Sequence, residues 1–408
     1  MAFLFSPTAR AFSDESLESY LLRIVSENFF DSYHQLSFAI REALHDLDFE
    51  AHGAFPLEIK LLNIYHAKHN SHFRMRALGL LESLLGLPRH ELQKIALFKS
   101  NRTFIGRAVA VHRNGTDIPL SFIRSKHEGN IESLPVCPLC LFEEPYIRQE
   151  WHLKPYSVCV KHQCKLIHHC PACQSSINYI ENESISQCLC GFDLSKASTN
   201  EAEKAELTLA QSLIERDLSS ENVLLNQASL THRYSALIWY QKRSCDSCSL
   251  GGAIEYFAQW PDNFYQELEL LTQTAESKLI ALFNRTPFRF IYGDLILNSR
   301  CLFPEDKELH FIHAALMHYL QRLVEENPKT KRPNVADMLV SVAEAAVILS
   351  TTHEQIYRLY QDGILTSSFK QKVRQRIEPH LGVFYLRQVI EYKNSFGIDW
   401  QGMYLSAW

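Results

Sequence analysis

The chain has 408 residues, of which 46% are hydrophobic and 21% are charged, and its formal net charge is −5. This composition is typical of a soluble globular protein of two to four domains, and it excludes a strongly basic protein that would bind nucleic acid over its whole surface. No apolar run reaches the length of a transmembrane helix. Met1 begins no signal peptide and most of the 11 cysteines have metal-type spacing, so we expect a cytoplasmic protein without membrane contact.

The charge is unevenly distributed along the chain. Residues 201–328 carry 11 Lys or Arg and 18 Asp or Glu, whereas residues 329–393 carry 10 and 6, and residues 89–126 carry 8 and 2. The two basic stretches could contact phosphate groups, and a solvated charged face explains each of them equally well.

The N-terminal part, residues 1–130, has the pattern of a small domain built mainly from short helices. Ser13 is suited to cap a helix whose apolar stripe runs from Leu17 to Val25. Further helical stripes run from Leu36 to Leu44 and from Leu78 to Leu85, and a glycine and a proline follow the last of them.

Residues 131–198 contain eight potential zinc ligands on four short turns. Each turn supplies two donors, and a tetrahedral zinc ion needs four. The four turns are Cys137/Cys140, Cys159/His162, Cys170/Cys173 and Cys188/Cys190. Sequential pairing gives a site of three cysteines and one histidine, followed by a four-cysteine site. We therefore expect two zinc ions per chain, although a cross-braced pairing of the turns remains open.

The ligand set has alternatives, and scattered buried cysteines are the simplest of them. Cys164 is the main rival donor, and His152, His168 and His169 lie nearby in the sequence. Four protein ligands leave no position for an activated water, so both sites are expected to be structural and to contribute folding energy. A further pair, Cys245 and Cys248, has no second pair close to it and is interpreted as non-ligating.

Residues 199–328 form a helical region in this interpretation. Helical patterns run from Thr199 to Ile214, from Leu230 to Lys242 and from Ala253 to Trp260. The strongest pattern runs from Glu305 to Glu326 and is stopped by a proline.

The C-terminal region, residues 329–408, contains the pattern of a helix-turn-helix. Ser341 and Glu344 form a capping box at the first helix, and Thr352 and Gln355 form a second one. Gly363 fits the left-handed position after the second helix. Ile364 and Leu365 are expected to start a wing strand.

Two groups of residues in this region are candidates for binding nucleic acid or a partner. The second helix would present His353, Gln355, Tyr357 and Arg358, and a basic wing would present Lys370, Lys372, Arg374 and Arg376. Only one of the helical candidates is basic. Protein docking is therefore favoured somewhat over base reading for this helix.

No enzyme is predicted, because the phosphate loop GxxxxGK[ST], the GxGxxG turn, the GxSxG elbow and the HExxH zinc motif do not occur. The patterns together predict a mainly α, multidomain protein. Its parts are the helical domain, two small zinc ribbons or knuckles, the helical region and a winged helix-turn-helix.

Several segments, in order, resemble the TniQ family. The segment Ser13–Arg23 resembles the opening of TniQ proteins, and Trp260–Phe264 resembles a later segment. In the part of the chain between these two segments, the likeness to the family rests on three turns, together with Trp151, His152 and Leu166. The turns are Cys137–Cys140, Cys159–His162 and Cys170–Cys173. The likeness is greatest to the short TniQ of type I-F CRISPR-associated transposons.

This resemblance implies a function that composition does not reveal. It implies a non-enzymatic adaptor with a helix-turn-helix-like N-terminal domain, which forms a head-to-tail homodimer. The adaptor would dock on the RNA-guided Cascade effector with its crRNA, near the crRNA-processing subunit and the adjacent backbone subunit. It would then help to recruit the TnsC ATPase, so that any contact with target DNA would be indirect. The alternative is a TnsD-like protein that binds an attachment site in DNA by sequence. A third and weaker alternative, a zinc-dependent nuclease or transposase, would need an open metal position.

Overall fold

The computed structural model describes residues 10–67, 71–124, 132–216, 218, 220–227, 229–243, 250–302, 310–369 and 377–395. The chain divides into two compact units, Met1–Asp217 and Leu218–Trp408. The protein is mainly helical and multidomain, so the predicted fold class is confirmed. Within the described ranges, no helix is both long and apolar enough to cross a membrane. The finer division into four domains stays a prediction.

The first unit opens with short helices packed on one another. The helices are α1 Leu17–Glu27, α2 Tyr33–His45, α3 Phe49–Ala54, α4 Ser71–Leu84 and α5 Glu91–Ile95. The cap of α1 is Ser16, whose Oγ accepts a hydrogen bond from the Ser19 N–H at 3.2 Å, so the prediction of Ser13 was wrong. Ser13 lies too far ahead of the helix, because Glu15 pairs as a β-bridge with Arg148 before the helix begins.

An antiparallel sheet follows these helices, where the sequence had predicted mainly helices. Its strands are β1 Phe98–Phe104, β2 Ala108–Arg113 and β3 Thr116–Pro119, in the order β1-β2-β3. Asn114 and Gly115, which join β2 to β3, have φ of 44° and 79°. Two consecutive residues with positive φ are the mark of a tight hairpin turn, and Asn-Gly is the strongest local signal for it.

The cysteine-rich part completes the first unit. Its elements are α6 Pro138–Glu143, β4 Val158–Cys159, β5 Cys164–Lys165, α7 Tyr179–Asn182 and α8 Lys204–Ile214. Strands β4 and β5 form a short antiparallel hairpin. Helix α8 begins five residues later than predicted, because Glu203 and Glu206 form a capping box there.

The second unit has a helical core rich in aromatic rings. Its helices are α9 Leu230–Arg243, α10 Ala253–Ala258, α11 Asp262–Lys278, α12 Phe288–Tyr292, α13 Leu295–Arg300 and α14 Phe311–Glu326. Trp260 stacks on Phe264 at 4.8 Å between ring centroids, and Trp239 meets Phe264 edge-on at 5.6 Å. The helix predicted to begin at Glu305 is described from its cap, His310, because residues 303–309 lie outside the described ranges.

A winged helix-turn-helix ends the described part of the second unit. Its elements are β6 Leu339–Ser341, α15 Val342–Ile348, α16 His353–Gln361, β7 Gly382–Tyr385 and α17 Leu386–Ser395. Strands β6 and β7 are antiparallel, and Ser367 pairs with Phe384 on β7. The wing therefore pairs at Ser367, two residues after Leu365, where its strand was expected to start.

The caps of this motif agree with the sequence, except that the second predicted capping box is only half formed, with Thr352 as a cap and no return bond from Gln355 among those described. Ser341 and Glu344 form the predicted capping box, and Gly363 has the predicted left-handed conformation, with φ of 73°. Thr352 caps α16 by accepting a hydrogen bond from the Gln355 N–H at 3.4 Å. These caps fix where both helices begin and how the chain leaves the second one.

Candidate metal centres

The first candidate metal centre consists of Cys137, Cys140, Cys159 and His162. Their donor atoms all lie within 4.8 Å of one another. The Cys140 Sγ is 3.5 Å from the Cys159 Sγ and 3.2 Å from the His162 Nδ1, and the latter is 3.5 Å from the Cys137 Sγ. Sulfur atoms bound to one tetrahedral zinc ion at about 2.3 Å would be about 3.8 Å apart. The four donors therefore have the spacing that a single ion requires.

The second candidate metal centre consists of Cys170, Cys173, Cys188 and Cys190. Their sulfur atoms also lie within 4.8 Å of one another, with Cys170 3.7 Å from Cys190 and Cys173 3.6 Å from Cys188. Cys170 and Cys188 are buried, whereas Cys173 and Cys190 are exposed. The chemistry and the spacing of these donors fit one zinc ion close to the protein surface.

Local backbone geometry brings the donors of each turn together. A residue with left-handed φ directly follows the second donor in three of the four turns: Gln163 at 51°, Gln174 at 60° and Gly191 at 83°. This conformation turns the chain sharply as it leaves the pair of donors. The remaining turn ends differently, because Pro138 at the first helical position starts α6 directly after Cys137.

Glu143 orients the single histidine of the first centre. Its Oε1 lies 3.0 Å from the His162 Nε2, while its other oxygen accepts from the Lys161 ammonium group. The hydrogen bonds from Lys161 and His162 lower the pKa of Glu143 to about 2. A carboxylate at Nε2 favours the tautomer with the proton there, which leaves the Nδ1 lone pair free to bind a metal.

The structure groups the eight donors as sequential pairing predicts and separates most of the rivals from them. His152 is fully buried, its Nε2 is 2.9 Å from the Tyr179 hydroxyl, and burial lowers its pKa to about 3. The Nδ1 of His168 is 2.7 Å from the Ser133 Oγ. Cys164 is the exception, because its Sγ is only 3.6 Å from that of Cys137. Cys245 and Cys248 lie outside the described residues.

The cysteine-rich part holds α1 in place through hydrogen bonds. The Ser16 N–H donates to the Ile147 carbonyl at 3.0 Å, and the Ile147 N–H donates to the Ser19 Oγ at 2.9 Å. The Ser16 Oγ is 2.9 Å from the Tyr179 hydroxyl, which also contacts His152. The Ser13–Arg23 segment and the Trp151-His152 pair are thus parts of one packed structure.

An ion pair inside the first unit fixes the chain ahead of α1. The Arg23 Nε and Nη2 donate to the two carboxylate oxygens of Glu15 at 2.9 and 2.8 Å. Glu15 also accepts from the Ser19 hydroxyl and from the Phe12 N–H. This fork is a geometry that arginine favours, since two parallel hydrogen bonds match the carboxylate.

The candidate residues on α16 differ in their availability to a partner. Arg358 is exposed, while His353 and Gln355 are half-buried. The Tyr357 hydroxyl donates to the Ile377 carbonyl at 2.7 Å, so it helps to hold the chain before β7. Glu354 offsets the charge of Arg358, which leaves the helix uncharged when its histidine is neutral. The basic candidates Lys370, Lys372, Arg374 and Arg376 lie outside the described residues.

Comparison with known proteins identifies part of the chain. Residues 7–166 match the family model TniQ, which is less than half of the chain. No curated protein matches the chain. The matched range contains the Ser13–Arg23 segment and the first candidate metal centre, whereas the second centre and Trp260–Phe264 lie beyond it. TniQ proteins are a non-catalytic family associated with transposition. The chain therefore carries a TniQ-family domain at residues 7–166.

Proposed function

We propose that the protein is a targeting adaptor that links an RNA-guided Cascade effector with its crRNA to the TnsC ATPase, and so directs DNA integration. The observation that carries this proposal is the TniQ match over residues 7–166. The sequence likeness to the short TniQ of type I-F CRISPR-associated transposons supplies the finer assignment. In this role the protein acts as a homodimer in the cytoplasm and contacts the crRNA-processing subunit and the adjacent backbone subunit.

We further propose that each of the two candidate centres binds one zinc ion and that both ions are structural. The support is the donor set, three cysteines with one histidine and then four cysteines, at tetrahedral spacing. Four protein donors close each site, so neither leaves a position for a substrate or an activated water. The ions would hold together a cysteine-rich stretch whose β4–β5 hairpin has only two residues in each strand.

The charge on α16 supports protein contact as the main function of the helix-turn-helix. A protein that reads DNA directly gains most of its affinity from cationic groups that neutralise phosphates. The described part of α16 offers Arg358 as its exposed cation, and Glu354 lies one turn away. A surface of this kind suits a protein partner better than the phosphate backbone.

Co-purification tests the adaptor proposal. The tagged full-length chain is expressed with the Cascade proteins and crRNA, with and without TnsC, and the recovered complex is analysed for each component. We expect the chain to retain Cascade and to add TnsC when it is present. If the chain associates with neither Cascade nor TnsC, the adaptor proposal is wrong.

The same material tests the alternative, an attachment-site DNA-binding protein. The observation that favours this alternative is the capped and winged helix-turn-helix with Arg358 exposed on its second helix. A gel shift with DNA flanking integration sites, without Cascade and over a salt series, distinguishes this alternative from the adaptor proposal. Specific binding that persists at physiological salt would support the alternative.

A further inference from the structure

A fifth donor lies beside the first candidate metal centre. Cys164 is 4% exposed, and its Sγ is 3.6 Å from the Cys137 Sγ, the separation expected of two sulfurs that share an ion. In the β4–β5 hairpin it lies directly opposite Cys159, another member of the centre. A fifth possible donor therefore lies against the centre beside Cys137, although its sulfur is not within 4.8 Å of all four other donor atoms.

The backbone holds Cys164 in this position from both sides. Strand β5 pairs with β4 on one side, and Cys164 forms a β-bridge with Glu201 on the other. The Lys165 N–H donates to the Asn200 carbonyl at 2.8 Å, and the Ala202 N–H donates to the Gln163 carbonyl at 3.0 Å. These bonds place the sulfur whether or not a metal is bound.

His162 is held less firmly than Cys164. It lies in the turn of the hairpin, between the two strands, and it is half-buried. Its ring is oriented through Glu143, whose side chain is 43% exposed and is shared with the exposed Lys161. The His162 side chain itself is only 13% exposed, but water and salt weaken the hydrogen bonds of the exposed Glu143 carboxylate that orients it, so the histidine has a less secure support than Cys164.

We propose that Cys164 is a reserve ligand of the first centre, which replaces His162 and converts a site of three thiolates and one imidazole into a site of four thiolates. This inference rests on the proposed zinc binding of that centre. The Cys164 thiol loses its proton and its sulfur bonds to the ion as the bond to the His162 Nδ1 breaks, and the freed imidazole accepts the proton. No electron is transferred, so no further reactant is needed. Zinc accepts either donor type, since both ligand sets occur in structural sites.

The test measures zinc content and zinc affinity of full-length variants. The variants are His162→Ala, Cys164→Ala, the double variant His162→Ala/Cys164→Ala, and the control His162→Ala/Cys301→Ala. The control removes a cysteine of the second unit that belongs to neither centre. Zinc per chain is measured by mass spectrometry of the metal, and affinity by competition with a chelator.

The expected results differ sharply between single and double variants. His162→Ala and its Cys301 control should keep two zinc ions, with affinity at the first centre within about 10-fold of wild type. The double variant should bind zinc at the first centre about 100-fold or more weakly than wild type, because only three protein donors remain. With cobalt in place of zinc, His162→Ala should gain sulfur-to-metal charge-transfer absorption over the double variant, since a fourth thiolate binds.

Each contrary result has a distinct meaning. If His162→Ala binds zinc at the first centre as weakly as the double variant does, while wild type binds two ions, the proposal of a reserve ligand is wrong and the zinc proposal stands. If wild type binds fewer than two ions, or the double variant keeps wild-type affinity, the donor set of the first centre is wrong. If His162→Ala is insoluble, the series is repeated with His162→Gln, which also removes the nitrogen ligand.

Discussion

The ion pair between Glu15 and Arg23 allows a quantitative prediction about how α1 is held. The Glu15 side chain is fully buried and that of Arg23 is 15% exposed. Arg23→Ala leaves the buried carboxylate with the Ser19 hydroxyl and the Phe12 N–H as the donors described for it. Breaking a buried pair costs about 3 to 5 kcal/mol. Because two neutral donors remain and some solvent reaches the arginine, we expect the lower end, about 3 kcal/mol.

Hydrogen exchange of the α1 amides, followed by mass spectrometry of the full chain, measures this loss where it occurs. A loss of about 3 kcal/mol corresponds to about 100-fold faster exchange through local opening. Arg89→Ala is the matched control, because Arg89 is exposed and should change stability by less than about 0.5 kcal/mol. The double variant Glu15→Gln/Arg23→Ala should lose less than Arg23→Ala, since no buried charge is left unpaired. If the α1 amides exchange as slowly in Arg23→Ala as in Arg89→Ala, the ion pair does not hold the helix.

Four further predictions concern the metal centres, the helix-turn-helix and pH. Cys140→Ser combined with Cys164→Ala, and Cys170→Ser alone, should each lower the zinc content from two ions to one and impair cooperative folding, and unchanged zinc and melting in both would refute the ligand assignment. In a Cys164→Ala background, which lacks the reserve donor, Glu143→Gln should weaken zinc binding at the first centre by about 10- to 100-fold with folding intact, as chelator competition would show, whereas an unchanged affinity would mean that Glu143 does not orient the histidine. Arg358→Ala should reduce association with Cascade or the homodimer if α16 docks protein, and should reduce affinity in a DNA gel shift if it reads DNA; no change in either assay excludes both roles. Burial raises the pKa of Glu18 to about 7 from 4.5, so folding favours the protonated acid. The stabilisation this proton provides is complete below about pH 4.5 and is lost as the pH rises through about 7. Glu18→Gln should therefore be the more stable protein at pH 8, and a wild-type unfolding free energy equal to that of the variant at pH 8 would contradict this.

The first-unit features that the sequence predicted are those encoded within a few residues. The four metal turns and the α1 stripe depend on local spacing, and the Ser341–Glu344 capping box of the second unit does so too. The β2–β3 hairpin was missed although Asn114-Gly115 carried a local signal for it. Its strands are short and mix polar with apolar residues, so their pattern is weaker than the helical stripes on either side.

Other features depend on contacts between distant residues and could not be predicted from spacing. Glu143 lies 19 residues from His162 in the sequence, and no pattern links them. Cys164 could be named as a rival donor, but its rigid position follows from strand pairing to Cys159 and Glu201. The displacement of the α1 cap from Ser13 to Ser16 likewise follows from a bridge to Arg148. Packing across the chain decides which of several suitable residues is used.

The contact between Ser16 and Tyr179 has a consequence for synthesis of the protein. These residues are 163 positions apart, and at about 5 to 20 residues per second the ribosome needs roughly ten seconds or more to make the intervening chain. During that time the Ser16 and Ser19 hydroxyls lack their partners in the cysteine-rich part, and an isolated helix of 11 residues is marginal in water. The hydrogen bonds of Ser16 with Tyr179 and of Ser19 with Ile147 therefore form only after the cysteine-rich part has emerged. The N-terminal helix of the chain thus reaches its final hydrogen-bonded state late, after residue 179 has been made.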